Sequence, residues 1–404
     1  MSQQFSISES KLIVQKYGGT SVGSIERIKH IAGHIADTVR NGHQVVAVIS
    51  AMGDQTDELL AMAHSISRQP PRRELDMLLT AGERISMALV SIALNELGQK
   101  AVSLTGSQSG IITDTVHGNA RISRIGAFRI QDILSAGNVA IVAGFQGVSA
   151  ETKEITTLGR GGSDLSAIAL AASLRARSCE LYKDVEGVCS ADPRLVPEAK
   201  VLDKIGWDAM TEMAWAGAAV LHPRGAHLAA KFGIPLEIRS SFNLRRKGTL
   251  VSGKEVMEQV VVNAVTHKLN MAILRGTLPL DAVARLDDLR SWLWQQGESS
   301  QIQFQMETKN GMEFCCSVQQ SLLEEARRRL QGNSNTQVSM ETINCGIISV
   351  IGSGFWQSPE TLDSVRKIAQ DAIFFDVKNS CLTLAIGPEK VERVVKSLHN
   401  SLIV

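Results

Sequence analysis

The first 242 residues alternate short apolar runs with amphipathic ones. Leu12, Ile13 and Val14 form a strand-like run that ends at Gly18-Gly19. Ile25, Ile28, Ile31, Ile35 and Val39 follow at helical spacing, and Gly42 closes that helix. Gln44 to Ser50 is continuously apolar, as in a strand covered on both faces. This strand, helix, strand order is the unit of a parallel sheet. The pattern predicts a helix from Asp57 to Ser67, broken by Gln69-Pro70-Pro71. A long apolar helix from Leu75 to Gly98 should be interrupted at Gly82. Lys100 to Asp114 reads as strand and loop, and Ile130 to Leu134 as a short helix. Asn138 to Val148 reads as one strand, Leu165 to Ala176 as a helix, and Cys179 to Tyr182 as a strand. Residues 207–233 are helical with a break around Leu221 to Pro223, and Ile234 to Phe242 is a further strand. The expected architecture is an open α/β sheet with helices on both faces. Ligands of such sheets sit outside the carboxyl ends of the strands.

After a linker-like run, NLRRKGTLVSGKEVMEQ, the pattern changes. The rest reads strand, helix, strand, strand, helix, and then the same again, ending with the helix VERVVKSLHNSL. A repeat of that kind predicts two small α+β modules packed as a pair.

Composition narrows the picture without redirecting it. With 404 residues, 44% hydrophobic and 21% charged, the chain is long enough for two or three globular domains. A net charge of +1 gives no argument for a nucleic-acid partner. No uninterrupted apolar run reaches the length of a membrane span, and the N-terminus MSQQFSISESK lacks a signal-peptide pattern. The six scattered cysteines form no CxxC, so the expectation is a reduced, cytoplasmic protein without a zinc or redox motif. No metal site is proposed from the histidines.

Candidate chemistry collects where strands end. TTLGRGGSD, Thr156 to Asp164, lies between a strand and a helix. It fits an anion-binding turn in which Arg160 grips a carboxylate, and equally a Gly-rich turn capped by Ser163 or Asp164. Lys16, two residues before Gly18-Gly19, can neutralise a phosphate, or can be a surface lysine before a turn. Glu83 and Arg84 beside Gly82 are either a solvated or paired set, or a place for a substrate ammonium on Glu83. Asp184 could hold Mg²⁺, and Arg194, after the turn Asp192-Pro193, could reach a phosphate. GTLVSGKE spells GxxxxGK but continues with Glu255 instead of the Ser or Thr of a P-loop, and IGSGF lacks the third glycine of a dinucleotide fingerprint.

In order and spacing, QKYGGTSVGS, VISAMGDQTDEL, LTAGERIS, VAGFQGV, TTLGRGGSDLSA, YKDVEGVCSADPR and VLHPRGAHLAAKFGIPLEIRSSF resemble aspartate kinases over about residues 11–243. The resemblance implies transfer of the γ-phosphoryl group of ATP to the β-carboxylate of L-aspartate, with Mg²⁺ held mainly by ATP phosphates. It implies the amino acid kinase fold, an α/β/α sandwich with a mainly parallel sheet, followed by two ACT-like, ferredoxin-like modules. The implied division is a catalytic domain over 1–245, a linker over 246–260, and modules over 261–335 and 336–404. Lys16 and Asp164 take the catalytic roles. Lys16, Gly18, Gly19, Lys183, Asp184, Cys189, Asp192 and Arg194 fall in the ATP-binding positions. Ser50, Thr56, Glu83, Arg160 and Ser163 fall in the substrate positions, with Glu83 on the aspartate ammonium and Arg160 on a carboxylate. Lys183 stands where the family usually has Thr or Ser, and Cys189 where a tyrosine is common. A related kinase for another amino acid carboxylate and a non-catalytic regulatory relative are the alternatives.

The resemblance weakens in the last third. The family's effector loops usually carry Pro-Gly, whereas here Leu280 follows Pro279 and Glu360 follows Pro359. The Asn-rich segment expected after each first helix is replaced by QQGESSQIQF and AQDAIFFDV. The expectation is weak or absent inhibition by lysine or threonine, with the modules serving a homodimer or higher homo-oligomer.

Overall fold

The computed structural model describes residues 10–253, 261–296, 301–308, 311–332, 338–355 and 358–403. The N-terminal tail, the end of the linker with Lys254 and Glu255, the GESS of the first module, and Trp356-Gln357 lie outside these residues. The chain divides into two compact units, bounded as Met1–Val188, Val201–Thr211 and Ala219–Glu255 for the first, and Cys189–Lys200, Glu212–Ala218 and Val256–Val404 for the second.

In the first unit the elements run β1 (Leu12–Tyr17), α1 (Ile25–Arg40), β2 (Gln44–Ile49), α2 (Gln55–Ile66), α3 (Arg72–Glu96), β3 (Ala101–Leu104), β4 (Ile111–Thr113), β5 (Ile122–Ile125), α4 (Phe128–Ser135), β6 (Val139–Ala143), β7 (Gln146–Ser149), β8 (Ile155–Thr157), α5 (Gly162–Leu174) and β9 (Ser178–Lys183). Then come β10 (Lys204–Ile205), α6 (Trp207–Trp215), α7 (Pro223–Phe232), β11 (Leu236–Ser240) and β12 (Thr249–Val251), with α6 passing into the second unit at Glu212. The main sheet has the order β10-β12-β11-β9-β1-β2-β6-β3. It is parallel except where β11 meets β12. Strand order reverses about β1, which lies between β9 and β2, so the crevice expected of such a sheet opens at the ends of β1 and β9.

Side chains alternate across each strand, so the sheet presents two different faces. On one, Tyr17, Val45, Ala47, Ile49, Ile141 and Tyr182 form a core with Ile28, Ile31 and Ile35 of α1 and Val90 and Leu94 of α3. Against the other lies α5, whose residues from Gly162 to Ala171 are all buried, as expected of a helix apolar on every side. The first face also buries a polar cluster. Glu180 accepts from Gln15 Nε2 and from the Tyr182 hydroxyl, each at 2.8 Å. The Tyr182 proton being spent on Glu180, His34 Nε2–H donates to Tyr182 Oη at 2.7 Å. His30 and His34 stand four apart on α1, a spacing that can bind a metal, but this bond occupies Nε2 of His34 and no metal-binding cluster forms among the described residues.

Two expected elements depart from the pattern. Gly82 does not interrupt α3, which is continuous from Arg72 to Glu96. That helix is long and apolar enough, by length and composition, to cross a membrane. Its buried residues include Asp76, Thr80, Glu83 and Ser86, so its inner face is polar and built for contacts within the unit. The expected strand from Asn138 to Val148 is two strands, split at Gly144-Phe145, where Phe145 takes φ 68°. The second half, β7, joins a separate small sheet of order β5-β4-β7-β8.

The second unit holds β13 (Val261–Leu278), α8 (Ala284–Gln295), β14 (Gln301–Thr308), β15 (Gly311–Gln319), α9 (Leu323–Gln331), β16 (Ser339–Ser353), α10 (Pro359–Ile368), β17 (Phe374–Val377), β18 (Cys381–Ile386) and α11 (Val391–Leu402). One sheet runs β14-β15-β13-β16-β18-β17. Its two long strands serve both modules. Val261 to Lys268 pairs with Ile347 to Ser353, whereas Met271 to Leu278 pairs with β15 and with Ser339 to Cys345, the change of register falling at Asn270, φ 56°. Each half has its own core: Leu274, Leu286, Leu289 and Phe314 in one, Val265, Val350, Phe355 and Leu398 in the other. A boundary near residue 335 therefore separates the helices but not the strands.

Candidate active site

Lys16 and Lys183 lie at the ends of neighbouring strands β1 and β9, on the face covered by α5. Asp164, in the first turn of α5, receives both. Lys16 Nζ is 2.8 Å from its Oδ1 and Lys183 Nζ 2.7 Å from its Oδ2. The carboxylate is buried, which alone would raise its pKa, but the two ammonium groups outweigh burial and hold it well below the usual carboxylate range. The N-terminus of α5 also favours negative charge. Burial pulls Lys16 below its ordinary range; Asp164 opposes that and Lys183 adds to it. The cluster carries one surplus positive charge, fixed in a nearly dry position.

Glu83 is brought in by close approach of helix to strand end. A β-carbon on Gly82 would lie 2.7 Å from that of Ala51, so only glycine lets α3 come this near. Glu83 Oε1 then accepts from Ala51 N–H at 3.2 Å, and Ser86 Oγ donates to the Ser50 carbonyl at 2.6 Å. Oε2 of Glu83 is buried without a hydrogen-bond partner among the described residues. Burial pushes the Glu83 carboxyl up to about 7. An unpartnered buried acceptor of this kind is costly unless something arrives to pair with it.

The Gly-rich turn is not closed by a side-chain cap. Gly161, φ 68°, is the residue before α5, and neither Ser163 nor Asp164 caps the helix. A β-carbon at Gly161 would fall 2.4 Å from that of His222, so the turn is pressed beneath this histidine. His222 in turn starts α7: its Nδ1 accepts from Arg224 N–H at 3.3 Å, and burial lowers its pKa, with Arg224 adding to the effect. Ser163 is buried against Gly144, and Phe145 N–H donates to Ser166 Oγ at 3.1 Å. Arg160 projects from the turn and is exposed.

The remaining expected residues separate into two groups. Ser50 and Thr56 are half-buried, Ser50 beside Ala51 in the loop that receives Glu83 and Thr56 in the first turn of α2 just after it. Gly18 N–H is directed to the Tyr182 carbonyl at 3.3 Å, and Gly19 begins a short 3-10 turn. Asp184 is exposed beyond the end of β9. Cys189, Asp192 and Arg194, by contrast, belong to the second unit. There Arg194 is engaged by Asp192, its Nε at 3.0 Å from Oδ1 and its Nη2 at 2.7 Å from Oδ2. Burial raises the Cys189 thiol. Residues not anticipated are Phe145, His222, Arg224 and Asp76. The signals for His222 were the helix break at HPRG, where Pro223 occupies the first helical turn, and its place in the block VLHPRGAHLAAKFG.

The chain matches the amino acid kinase family model over residues 11–240. It is 43% identical over 365 residues to an aspartokinase of Geobacillus stearothermophilus, covering 89% of this chain and 88% of the relative. It is 39% identical over 402 residues to aspartokinase 2 of Bacillus subtilis, covering 96% and 97%. Its fold matches that of E. coli aspartokinase III, solved in complex with aspartate and ADP, with a TM-score of 0.80 at 23% identity, covering 97% of this chain and 100% of that one. With these matches spanning nearly its whole length, the chain belongs to the amino acid kinase family and, within it, to the aspartokinases.

Proposed function

We propose that this chain transfers the γ-phosphoryl group of ATP to the β-carboxylate of L-aspartate, giving 4-phospho-L-aspartate. The observation that carries the reading is the buried Asp164 holding Lys16 and Lys183 at the ends of adjacent strands. A carboxylate is already nucleophilic at neutral pH, so the reaction needs positioning and charge neutralisation more than a general base. Asp164 fixes both ammonium groups, and their surplus charge meets the transferring phosphoryl group. Gly18 N–H is engaged with Tyr182, so the phosphate contact from this loop falls to Gly19 and the residues after it. Glu83 takes the aspartate ammonium on its free Oε2, Arg160 clamps a carboxylate, and Ser50, Thr56 and Ser163 line the same side. Asp164 orders the reacting groups.

Among the described residues no three metal-binding side chains cluster, so those residues build no cage of their own for a cation. Magnesium, which favours phosphate oxygens plus one or two carboxylates, would be held by ATP with Asp184 as the nearby carboxylate, and supplies neutralisation of phosphate charge. The nucleotide roles of Cys189, Asp192 and Arg194 are retained from the resemblance alone. The same reading takes residues 1–245 as the catalytic domain, 246–260 as a linker, and 261–335 and 336–404 as ACT-like modules that join copies of the chain in the cytoplasm. The product would feed synthesis of lysine, threonine and methionine.

Trapping the acyl phosphate with hydroxylamine tests the reaction. L-aspartate should give hydroxamate, L-glutamate and N-acetylglutamate should give little, and Lys16→Ala should cut turnover at least about a hundredfold, the scale of losing one preorganised charge contact. Preference for another acceptor, or a normal rate in K16A, would overturn it.

A further inference from the structure

Helix α3 carries a second buried carboxylate about two turns before Glu83. Asp76 is fully buried. Its oxygens accept from His117 Nδ1–H at 2.6 Å, from the Thr157 hydroxyl at 2.6 Å, and from Gly118 N–H at 3.1 and 3.2 Å. A buried carboxylate persists only when its lone pairs are met in this way. The donors come from two separate segments. His117 and Gly118 belong to the loop between β4 and β5, and Thr157 ends β8 three residues before Arg160.

The two segments are locked together as well as to α3. Ala120 N–H donates to the Thr157 carbonyl at 2.8 Å. The Arg224 guanidinium donates to Asn119 Oδ1, Leu158 O and Ala120 O, each at 2.7 Å. A β-carbon on Gly159 would fall 3.0 Å from Asn119 Oδ1 and 3.2 Å from the Gly118 carbonyl, so the β4–β5 loop forms the floor under the Gly-rich turn.

We propose that Asp76 and His117 are positioning residues for the amino acid substrate. Asp76 anchors the turn bearing Arg160 to the same helix that bears Glu83, so the two groups that hold aspartate keep a fixed separation. The proposal rests on the reading of Glu83 and Arg160 given above. Neither Asp76 nor His117 touches the reacting atoms; each acts through the backbone it holds. Such a support matters because displacement of a binding group by a fraction of an ångström is enough to lose a bidentate contact.

The test compares His117→Ala with His117→Asn in the full-length enzyme. His117 is partly exposed, so both variants should fold, His117→Asn with a melting temperature close to the parent and His117→Ala with a lower one because Asp76 loses a donor. His117→Ala should raise the KM for aspartate about tenfold and move that for ATP less than about twofold. His117→Asn, whose amide can place an N–H where Nδ1–H stands, should restore most of the loss. Thr157→Val, which removes the other short hydrogen bond without changing shape, should show the same selective rise. An unchanged aspartate KM in both His117→Ala and Thr157→Val, or equal rises for the two substrates, would overturn the proposal. Glu83→Gln measured alongside separates the two levels. If it too leaves the aspartate KM unchanged, the reading of Glu83 fails; if it raises that KM while the other variants do not, only the positioning role fails.

Discussion

Glu83 and Asp164 are both buried carboxylates, yet their environments drive them in opposite directions. Asp164 has two ammonium partners and stays ionised; its share of stability is present above the ordinary carboxylate range and is lost as pH falls below it. Burial outweighs the backbone donors to Glu83, so its folded pKa of about 7 exceeds the ordinary value of 4.5. Its contribution to stability is fully present below 4.5 and is lost as pH rises through about 7. A substrate ammonium reverses this by pairing with the ionised form. The kcat/KM for aspartate should therefore climb about tenfold per pH unit below neutrality and level off above it. Glu83→Gln should remove that limb, and a pH-rate series on both proteins checks it. Binding of aspartate near pH 6 should also release protons, measurable by calorimetry in buffers of different ionisation enthalpy. Lys16, Arg160 and Asp164 stood out as candidates because each sits in a compact motif at an element boundary, and Glu83 because it is a charge beside a glycine inside an apolar helix. The partnership of Lys183 with Asp164 was not, since they share only a spatial neighbour.

At the scale of elements, the approach of α3 to the end of β2 decides where Glu83 points. Two glycines in helices offer a contrast. Around Gly33 of α1 nothing lies within 4 Å of an added β-carbon, whereas at Gly82 such an atom would meet Ala51 at 2.7 Å. Gly33→Ala should stabilise the protein by about 0.5–1 kcal/mol through helix propensity. Gly82→Ala should destabilise it by about 1–3 kcal/mol through overpacking, and should weaken aspartate binding as Glu83 is displaced. Thermal melts and the aspartate KM test both; a stabilised Gly82→Ala with normal KM would contradict this account of the contact. The sequence marked Gly82 as unusual but read it as a helix break. Periodicity cannot distinguish a glycine that breaks a helix from one that lets another chain segment come close.

At the scale of the molecule, the expectation of weak inhibition can be set against the two modules of the second unit. In its first module Pro279 leads into a short 3-10 turn, Leu280–Ala282, in place of an open loop. In its second, Ser358 Oγ accepts from Thr361 N–H at 3.2 Å, and Glu360 adds negative charge in the first turn of α10. Both occupy the helix N-terminus where an effector carboxylate would seek N–H groups and positive potential. Millimolar lysine plus threonine should thus leave most of the activity intact. Steady-state rates with each amino acid alone and with both check this, and strong inhibition would contradict it. The repeat of α+β pattern was readable along the chain, but not the sharing of β13 and β16 between modules. Only strand pairing reveals that one continuous strand can supply edges to two halves of a sheet.

What the sequence determined by itself was local: the alternation of strand and helix, the change of character after residue 243, and the polar residues stranded at strand ends. Those follow from side-chain period and turn chemistry, which act over a few residues. What tertiary structure alone decided was convergence. It joined Lys16, Lys183 and Asp164 from strands and a helix far apart in the chain. It split the run through Gly144-Phe145 between two sheets, and it tied Asp76 of α3 to His117, Gly118 and Thr157. Such contacts depend on which elements pack together, and burial then fixes the charge each group carries, which no reading of neighbours along the chain supplies.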